Sequence, residues 1–467
     1  MTILSYLETL LQAGLGSLAA YLAAHVLLCL LPAFLIAGAL AALVPKEAIT
    51  KYLGRNTPKW ISYPAAAVGG FVLAVCSCTI MPLFASIYKK GAGLGPAIAF
   101  LFVGPAVNIL AISLTGVAIG MDIALARVVL AIVFGIGIGL LMAWFFRRED
   151  AEHDAATNRG FDQGATVPVA TWVFFVLLLG ILVAGTLQVD LLTDSYATFS
   201  LDTSPPALAF DPDAPTAVGE NWAVSLQAWL DRVVPPNSAL GIEGVSVHGV
   251  FLIGLLLTIG ATAWKGLGRV DEGYNVWTYV ALALVSLTLI VAAFSVEVQP
   301  GGLQVGITGK LIAEILLISA VWWIAATKFD EYELQEWLWE TWRFVKQIMP
   351  LLLVGVFVAG MARVLIPATW ITTLAGSNTV WANLAGVLFG VFMYFPTLVE
   401  VPIAQTFLSL GMQRGPLLAY LLADPELSLQ SILITQSIIG KKKTWVYVGL
   451  VAFFSTLAGL IFGWVVG

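Results

Sequence analysis

The chain has 467 residues, 60% of them hydrophobic and only 11% charged, with a formal net charge of −6 and a mean hydropathy of +0.94. A soluble domain carries roughly 25% charged residues, so a water-soluble enzyme or a nucleic-acid-binding protein is excluded, and several apolar runs reach the ~20 residues that cross a bilayer. Three cysteines exclude a disulfide framework, and the N-terminus lacks the basic segment and short apolar core of a cleavable signal peptide.

The first span runs from about Leu15 to Val44, interrupted by Pro32, and a basic loop with Lys46, Lys51, Arg55 and Lys59 follows it. Ser62 to Tyr88 is apolar but broken at Cys76-Ser77-Cys78-Thr79 and Pro82, and Lys89-Lys90 closes it. Two more apolar stretches follow, Leu94 to Ile119 with Gly104-Pro105 inside it, and Ile123 to Phe146, which stops at Arg147-Arg148. A polar linker leads to a span at about Pro168–Leu187, and some sixty polar residues rich in Asp and Pro follow as Gln188–Val247. Three further spans are predicted near His248–Trp264, Trp277–Phe294 and Lys310–Thr327. Phe329 to Lys346 is charged and carries Trp337, Trp339 and Trp342; it reads as an amphipathic helix at the membrane surface, where indoles are favoured.

The remainder repeats the beginning. Residues 70 to 139 recur 320 positions later with glycines and prolines in register: Gly70 with Gly390, Pro82 with Pro402, Gly91 with Gly411, Pro105 with Pro425, Gly120 with Gly440 and Gly139 with Gly459. Upstream the offset drifts slightly, with Pro32 answered by Pro350 and Pro45 by Pro367. Gly and Pro hold such a register because they mark backbone breaks, and a duplicated unit in an apolar chain is the usual construction of a secondary transporter.

Charge placement decides whether Ser62–Tyr88 crosses the membrane or dips in and returns. Only a re-entrant hairpin gathers Lys46–Lys59, Lys89-Lys90, Arg147-Arg148, Lys265, Arg269, Arg343, Lys346 and Lys441–Lys443 on one side, with Arg414 and Lys310 as exceptions, as the positive-inside rule requires. The expected fold class is therefore an all-α polytopic membrane protein with two inverted-topology repeats, each with a re-entrant broken-helix hairpin, and about four intervening spans. The domain reading is 1–147 for repeat 1 (hairpin near 62–88), 148–167 for a cytoplasmic linker, 168–327 for the middle spans with the acidic external loop 188–247, 328–347 for the surface helix, and 348–467 for repeat 2 (hairpin near 383–409).

Irregular backbone at membrane depth is tolerated only inside protein or along a wet cavity, so the two hairpin tips are expected to meet and build a substrate site. At the first tip, Cys76 and Cys78 offer two soft sulfur ligands, which select thiophilic species such as Cu(I) or trivalent arsenic; the alternative is that they pack as small hydrophobes. Cys29, in the first span, is a candidate third sulfur or plain core. Ser77, Thr79, Asn108, Pro396 and Thr397 line the matched breaks and complete the candidate substrate-binding set. At the second tip Glu400 answers Ile80 in the repeat register. An intramembrane carboxylate is a functional hypothesis by default, and Glu400 is the first candidate for proton coupling, followed by Asp424 and Glu426; the alternative is that these acids cap half-helices. His25 reads as bonded within the bundle, Asp122 and Arg127 as residues near a span end, and Glu314 as a partner of Lys310. No nucleotide-binding or zinc-enzyme motif appears, so an ATP-driven pump is not encoded, no cofactor is expected, and the chain reads as no enzyme.

Cys76-Ser77-Cys78-Thr79-Ile80-Met81-Pro82, then Gly93-Leu94-Gly95-Pro96, then Gly104-Pro105-Ala106-Val107-Asn108 resemble the ArsP-type permease family, which includes bacterial inner-membrane exporters of trivalent organoarsenicals. The resemblance is strongest over about Pro32–Thr115 and extends through the repeat to Met349–Gly467. It implies efflux of a thiophilic substrate, with Cys76 and Cys78 as metalloid ligands, from the inner membrane. The middle spans and acidic loop look like an insertion relative to compact members. The alternatives are transport of another small sulfur-containing or other anion, and a non-transporting membrane scaffold or sensor. The expected partners are the substrate and the bilayer, with a homodimer left open.

Overall fold

The computed structural model is mostly helical and describes residues 3–24, 28, 30–73, 77–107, 112, 115–116, 118–157, 167–186, 190–201, 222–233, 245–299, 302–365, 368–392 and 397–466. The first part holds α1 (Ile3–Ala24), α2 (Leu31–Leu43), α3 (Lys46–Leu53), α4 (Lys59–Leu73), α5 (Ser77–Lys89), α6 (Leu94–Ala106), α7 (Met121–Phe145) and α8 (Arg147–Thr157). The middle holds α9 (Val169–Thr186), β1 (Ser195–Leu201), α10 (Trp222–Val233), α11 (Val247–Lys265), α12 (Val276–Ala292), β2 (Ser295–Gln299), β3 (Gly302–Thr308) and α13 (Gly309–Lys328). The last part holds α14 (Glu331–Leu365), α15 (Ala368–Ala375), α16 (Val380–Phe392), α17 (Thr397–Ser409), α18 (Arg414–Leu427), α19 (Leu429–Ile439) and α20 (Lys441–Val466).

Six of the described helices are long and apolar enough to cross a membrane, or up to eight if each of two bent pairs is one span. Their outer faces stay apolar: Val133 on α7, Leu257 on α11, Leu316 on α13 and Phe453 on α20 are all exposed. Water would oppose that exposure by about 25 cal/mol per Å², whereas lipid tails do not.

The sequence repeat is also a repeat of elements. α5 and α17 begin and end 320 positions apart, at Ser77 and Thr397 and at Lys89 and Ser409. α6 and α18 begin at Leu94 and Arg414, and α7 and α20 at Met121 and Lys441, with the same offset. Gly91 and Gly411 take matching left-handed φ values of 92° and 94°, a conformation that costs glycine nothing. Each copy is clamped at the same place by glycine. A Cβ on Gly139 would sit 2.5 Å from Gly95 O, and one on Gly459 would sit 2.5 Å from Gly415 O, so α6 on α7 and α18 on α20 pack backbone to backbone, as small residues allow between helices in lipid.

The segment α4–α5 starts and finishes side by side: Gly54 bridges to Ala92 and Gly93 N–H donates to Leu53 O at 2.8 Å. The second copy repeats this, with Gln413 N–H donating to Ala375 O at 3.0 Å. Around the first of these junctions gather Arg55 with Asp150 (3.8 Å), Lys89 with Glu340 (3.6 Å) and Lys442 with Glu149 (3.4 Å). Around the second, Arg414 pairs with Asp122 at 2.7 Å and Gln405 Nε2 donates to Ala118 O at 2.8 Å.

Three features depart from the sequence reading. The fold is not purely helical: β1, β3 and β2 form a three-stranded antiparallel sheet in that order. Ser195 to Leu201 pairs with Thr308 to Leu303, because the alternating Val296, Val298 and Leu303, Val305, Ile307 fit a strand period of two. The stretch Phe329–Lys346, expected as a separate surface helix, forms the first half of the 35-residue α14. Its indoles are packed inward: Trp337 and Trp342 are buried, and Trp337 Nε1 donates to Leu35 O at 2.9 Å. Finally, Lys310 Nζ donates to Gly185 O at 3.4 Å, and it acts on Glu314 through its charge without a direct contact within 4.0 Å.

Candidate functional site

Glu400 lies in the first turn of α17, four residues after the break that precedes Thr397. It is 1% exposed. Its Oε2 accepts a hydrogen bond from Arg127 Nη2 at 2.9 Å, and Arg127 is fully buried. Arg127 is six residues into α7, about 9 Å along the helix from its start. The pair therefore joins the last long helix of the first copy to α17 of the second, and it gives Arg127, near the start of its span, a buried partner. Asp122 does lie in the first turn of α7, where it pairs with Arg414.

Arg127 is one of two equivalent positions. Its counterpart 320 residues on is Tyr447 of α20, which is buried and donates its hydroxyl to Glu426 Oε2 at 2.7 Å. Thus the same position on α7 and on α20 supplies a donor to a carboxylate of the second copy. Arg127, Glu400, Glu426 and Tyr447 are all buried, and α7 packs against both α18 and α20, so the two pairs belong to one buried polar cluster. Asp424, on α18 with Glu426, is 1% exposed; a Cβ on Gly390 of α16 would meet its backbone at 3.0 Å.

The cluster is not saturated. Among the described residues, Arg127 Nε and Nη1, Glu400 Oε1 and Glu426 Oε1 are buried without a hydrogen-bond partner. A guanidinium is charged at any physiological pH, and a buried charge is stable only when it is paired. The arrangement can therefore exchange a proton or an anion only if Arg127 keeps a negative partner throughout.

The first copy contributes a different surface. Cys29, Cys76, Asn108 and Pro396 lie outside the described residues. Ser77, Cys78 and Thr397 are described in backbone only, as the opening residues of α5 and α17. Thr79 and Ile80 are fully buried. Met81 Sδ accepts from Thr435 Oγ1 of α19 at 3.7 Å, so the start of α5 rests on the second copy's bent pair, where α18 meets α19 at 45° around Ser428. Among the described residues no three His, Cys, Asp or Glu side chains converge as a metal site. The residue that sequence reasoning missed is Arg127; its signal was a lone cation within an apolar run whose repeat partner is a tyrosine.

The family profile ArsP_1, described as a predicted permease, matches residues 12–464. The UPF0718 protein MJ0584 of Methanocaldococcus jannaschii is 32% identical over 469 residues, covering 99% of this chain and 98% of its own. The UPF0718 protein YraQ of Escherichia coli K12 is 29% identical over 121 residues, 25% of this chain and 34% of its own. No solved structure matches. The chain is a multi-pass membrane protein and belongs to the ArsP_1 family of predicted permeases.

Proposed function

We propose that the protein is a secondary active exporter of a thiophilic substrate, a trivalent inorganic or organic arsenical, working from a bacterial inner membrane by alternating access and proton antiport. The observation that carries the transport reading is the buried Arg127–Glu400 pair. It links one copy to the first turn of α17 in the other, and an ionisable pair within membrane-spanning helices is by default a mark of an ion or substrate path. Glu400 is the coupling carboxylate in this reading. When it takes up a proton, Arg127 turns to Glu426 or to a charged substrate.

Inverted topology of the two copies, with re-entrant hairpins at 62–88 and 383–409, belongs to the same proposal. It is supported by the reciprocity of the end contacts. The α4–α5 junction of copy one neighbours Lys442 at the start of α20, through Glu149 of α8 and the 3.4 Å contact of Lys443 Nζ with Tyr88 Oη. The equivalent junction of copy two neighbours Asp122 at the start of α7. Equivalent junctions thus sit by the opposite copy's equivalent helix start, the relation a two-fold axis in the membrane plane produces.

The substrate assignment rests on the soft sulfur chemistry of Cys76 and Cys78, with Ser77, Thr79, Asn108, Pro396 and Thr397 as the further candidates at the matched sequence positions. Cells carrying the protein are expected to gain resistance to methylarsenite over arsenite and selenite, and Cys76→Ser or Cys78→Ser to abolish it with the protein still in the membrane. Full resistance in the double variant refutes the thiol site. Carriage of a small anion is a second reading, favoured by Arg127, whose Nε and Nη1 have no hydrogen-bond partner among the described residues. In that case resistance fails in all strains, while oxyanion flux into vesicles depends on Arg127.

A further inference from the structure

A cavity of about 600 Å³ lies between the C-terminal end of α11, the N-terminal end of α12 and the middle of α14. Lys265, Arg269 and Lys346 line it, and among the described residues none of them pairs with a carboxylate within 4.0 Å. The lining carries no acidic side chain. Its remaining polar groups add donors: Asn275, whose Nδ2 donates to Lys265 O at 3.4 Å, and the indole of Trp342.

The cations are held by aromatic faces rather than by counter-ions. Lys265 Nζ stands 4.9 Å above the Trp277 ring, and Lys346 Nζ stands 5.1 Å from Trp339 and 5.9 Å from Trp342. Cation–π contact steadies an ammonium without neutralising it, so the positive charge stays available to a ligand. Space is kept open by Gly268. A Cβ there would come to 3.4 Å from Trp342 Nε1, so a longer side chain would close the cavity over the indole N–H.

The cavity's position selects among anions. It sits where two apolar helices end, with Trp264 (69% exposed) and Trp277 (45% exposed) at their tips. Exposed indoles at helix ends mark the headgroup level of a bilayer, and basic pockets between spans at that level bind lipid phosphates. We propose that this cavity is a binding site for the headgroup of an anionic phospholipid, with Lys265, Arg269 and Lys346 around the phosphate and Trp342 Nε1 donating to it. The site is independent of the substrate path, since none of its residues belongs to the Arg127–Glu400 cluster.

The test is a lipid titration of the purified full-length protein, read by native mass spectrometry, with phosphatidylglycerol, phosphatidylcholine and inorganic phosphate as separate arms. Phosphatidylglycerol is expected to bind at least tenfold more tightly than phosphatidylcholine. Each basic group near an anionic lipid contributes roughly fivefold, so the triple variant Lys265→Gln, Arg269→Gln, Lys346→Gln should lose about a hundredfold. Gly268→Leu, which keeps every charge and fills the space, should lose at least about tenfold. Wild-type phosphatidylglycerol binding in both variants overturns the proposal. Displacement of the lipid by millimolar inorganic phosphate also overturns it, assigning the cavity to a free anion.

Discussion

The buried pair invites a direct perturbation, Glu400→Leu, which strands Arg127. At 2.9 Å and an effective dielectric of about 20, the two charges attract by about 6 kcal/mol. That is comparable with the several kcal/mol of desolvation each ion carries, so the pair as a whole is close to neutral for stability. Losing one partner is different, because the other keeps its desolvation cost without the attraction, a penalty of about 3–5 kcal/mol. Arg127→Met should cost less, because a stranded carboxyl can discharge by binding a proton and a guanidinium cannot. The double variant Arg127→Met, Glu400→Leu removes both desolvation costs and should return to wild-type stability or above it. Thermal unfolding in detergent, followed by size-exclusion chromatography, measures all three. Wild-type stability in Glu400→Leu would refute the buried ion pair. An equal loss in the single and double variants would assign the effect to packing rather than charge.

Other outcomes follow from the same contacts. Glu400→Gln in proteoliposomes should still bind substrate but lose uphill transport driven by a pH gradient; accumulation at the wild-type rate would make Glu400 structural and move the coupling to Asp424 or Glu426. Tyr447→Phe leaves Glu426 Oε2 without its 2.7 Å donor and should lower stability by about 1–3 kcal/mol, seen as a lower unfolding temperature. Gly139→Ala and Gly459→Ala drive a Cβ to 2.5 Å from a facing carbonyl and should each cost about 1–3 kcal/mol, whereas Gly137→Ala, with nothing within 4 Å, should be neutral. For topology, cysteines placed at Lys51 and Lys441 should label from the cytoplasmic side and one at Ser377 from outside; labelling of Lys51 and Ser377 from one side would remove the inversion.

The repeat register carried far because glycine and proline positions are set by backbone geometry rather than by neighbours. The shared offset placed the start of α5 against that of α17, and paired Gly91 with Gly411 before their φ values were in view. Arg127 was not legible by the same route. A single arginine near the start of an apolar run ordinarily reaches back to the interface, and what holds this one inside is Glu400, 273 positions away. The sheet was missed for another reason. Val296, Val298, Leu303, Val305 and Ile307 alternate plainly, but short strands beside long apolar spans lose against a hydropathy reading averaged over twenty residues. The indoles of Phe329–Lys346 suggested a surface helix because Trp favours interfaces; α2 and α9 supply an alternative surface, where Phe174 meets Trp337 edge-on at 4.9 Å.

The two copies share a fold but not a chemistry. Were the register kept in full, Ile80 would be a second Glu400 and Tyr447 a second Arg127. Instead, Ile80 and Ala106 stand where the other copy has Glu400 and Glu426, and the lone guanidinium comes from the copy without those acids. A cation on one copy and its anion on the other make the ion pair a contact between the two halves. Any movement of one half against the other must stretch the 2.9 Å bond of Arg127 to Glu400 or exchange it for another anion. In a transporter that moves by such rocking, the neutralisation of Glu400 would loosen the halves, and a new anion at Arg127 would fasten them again.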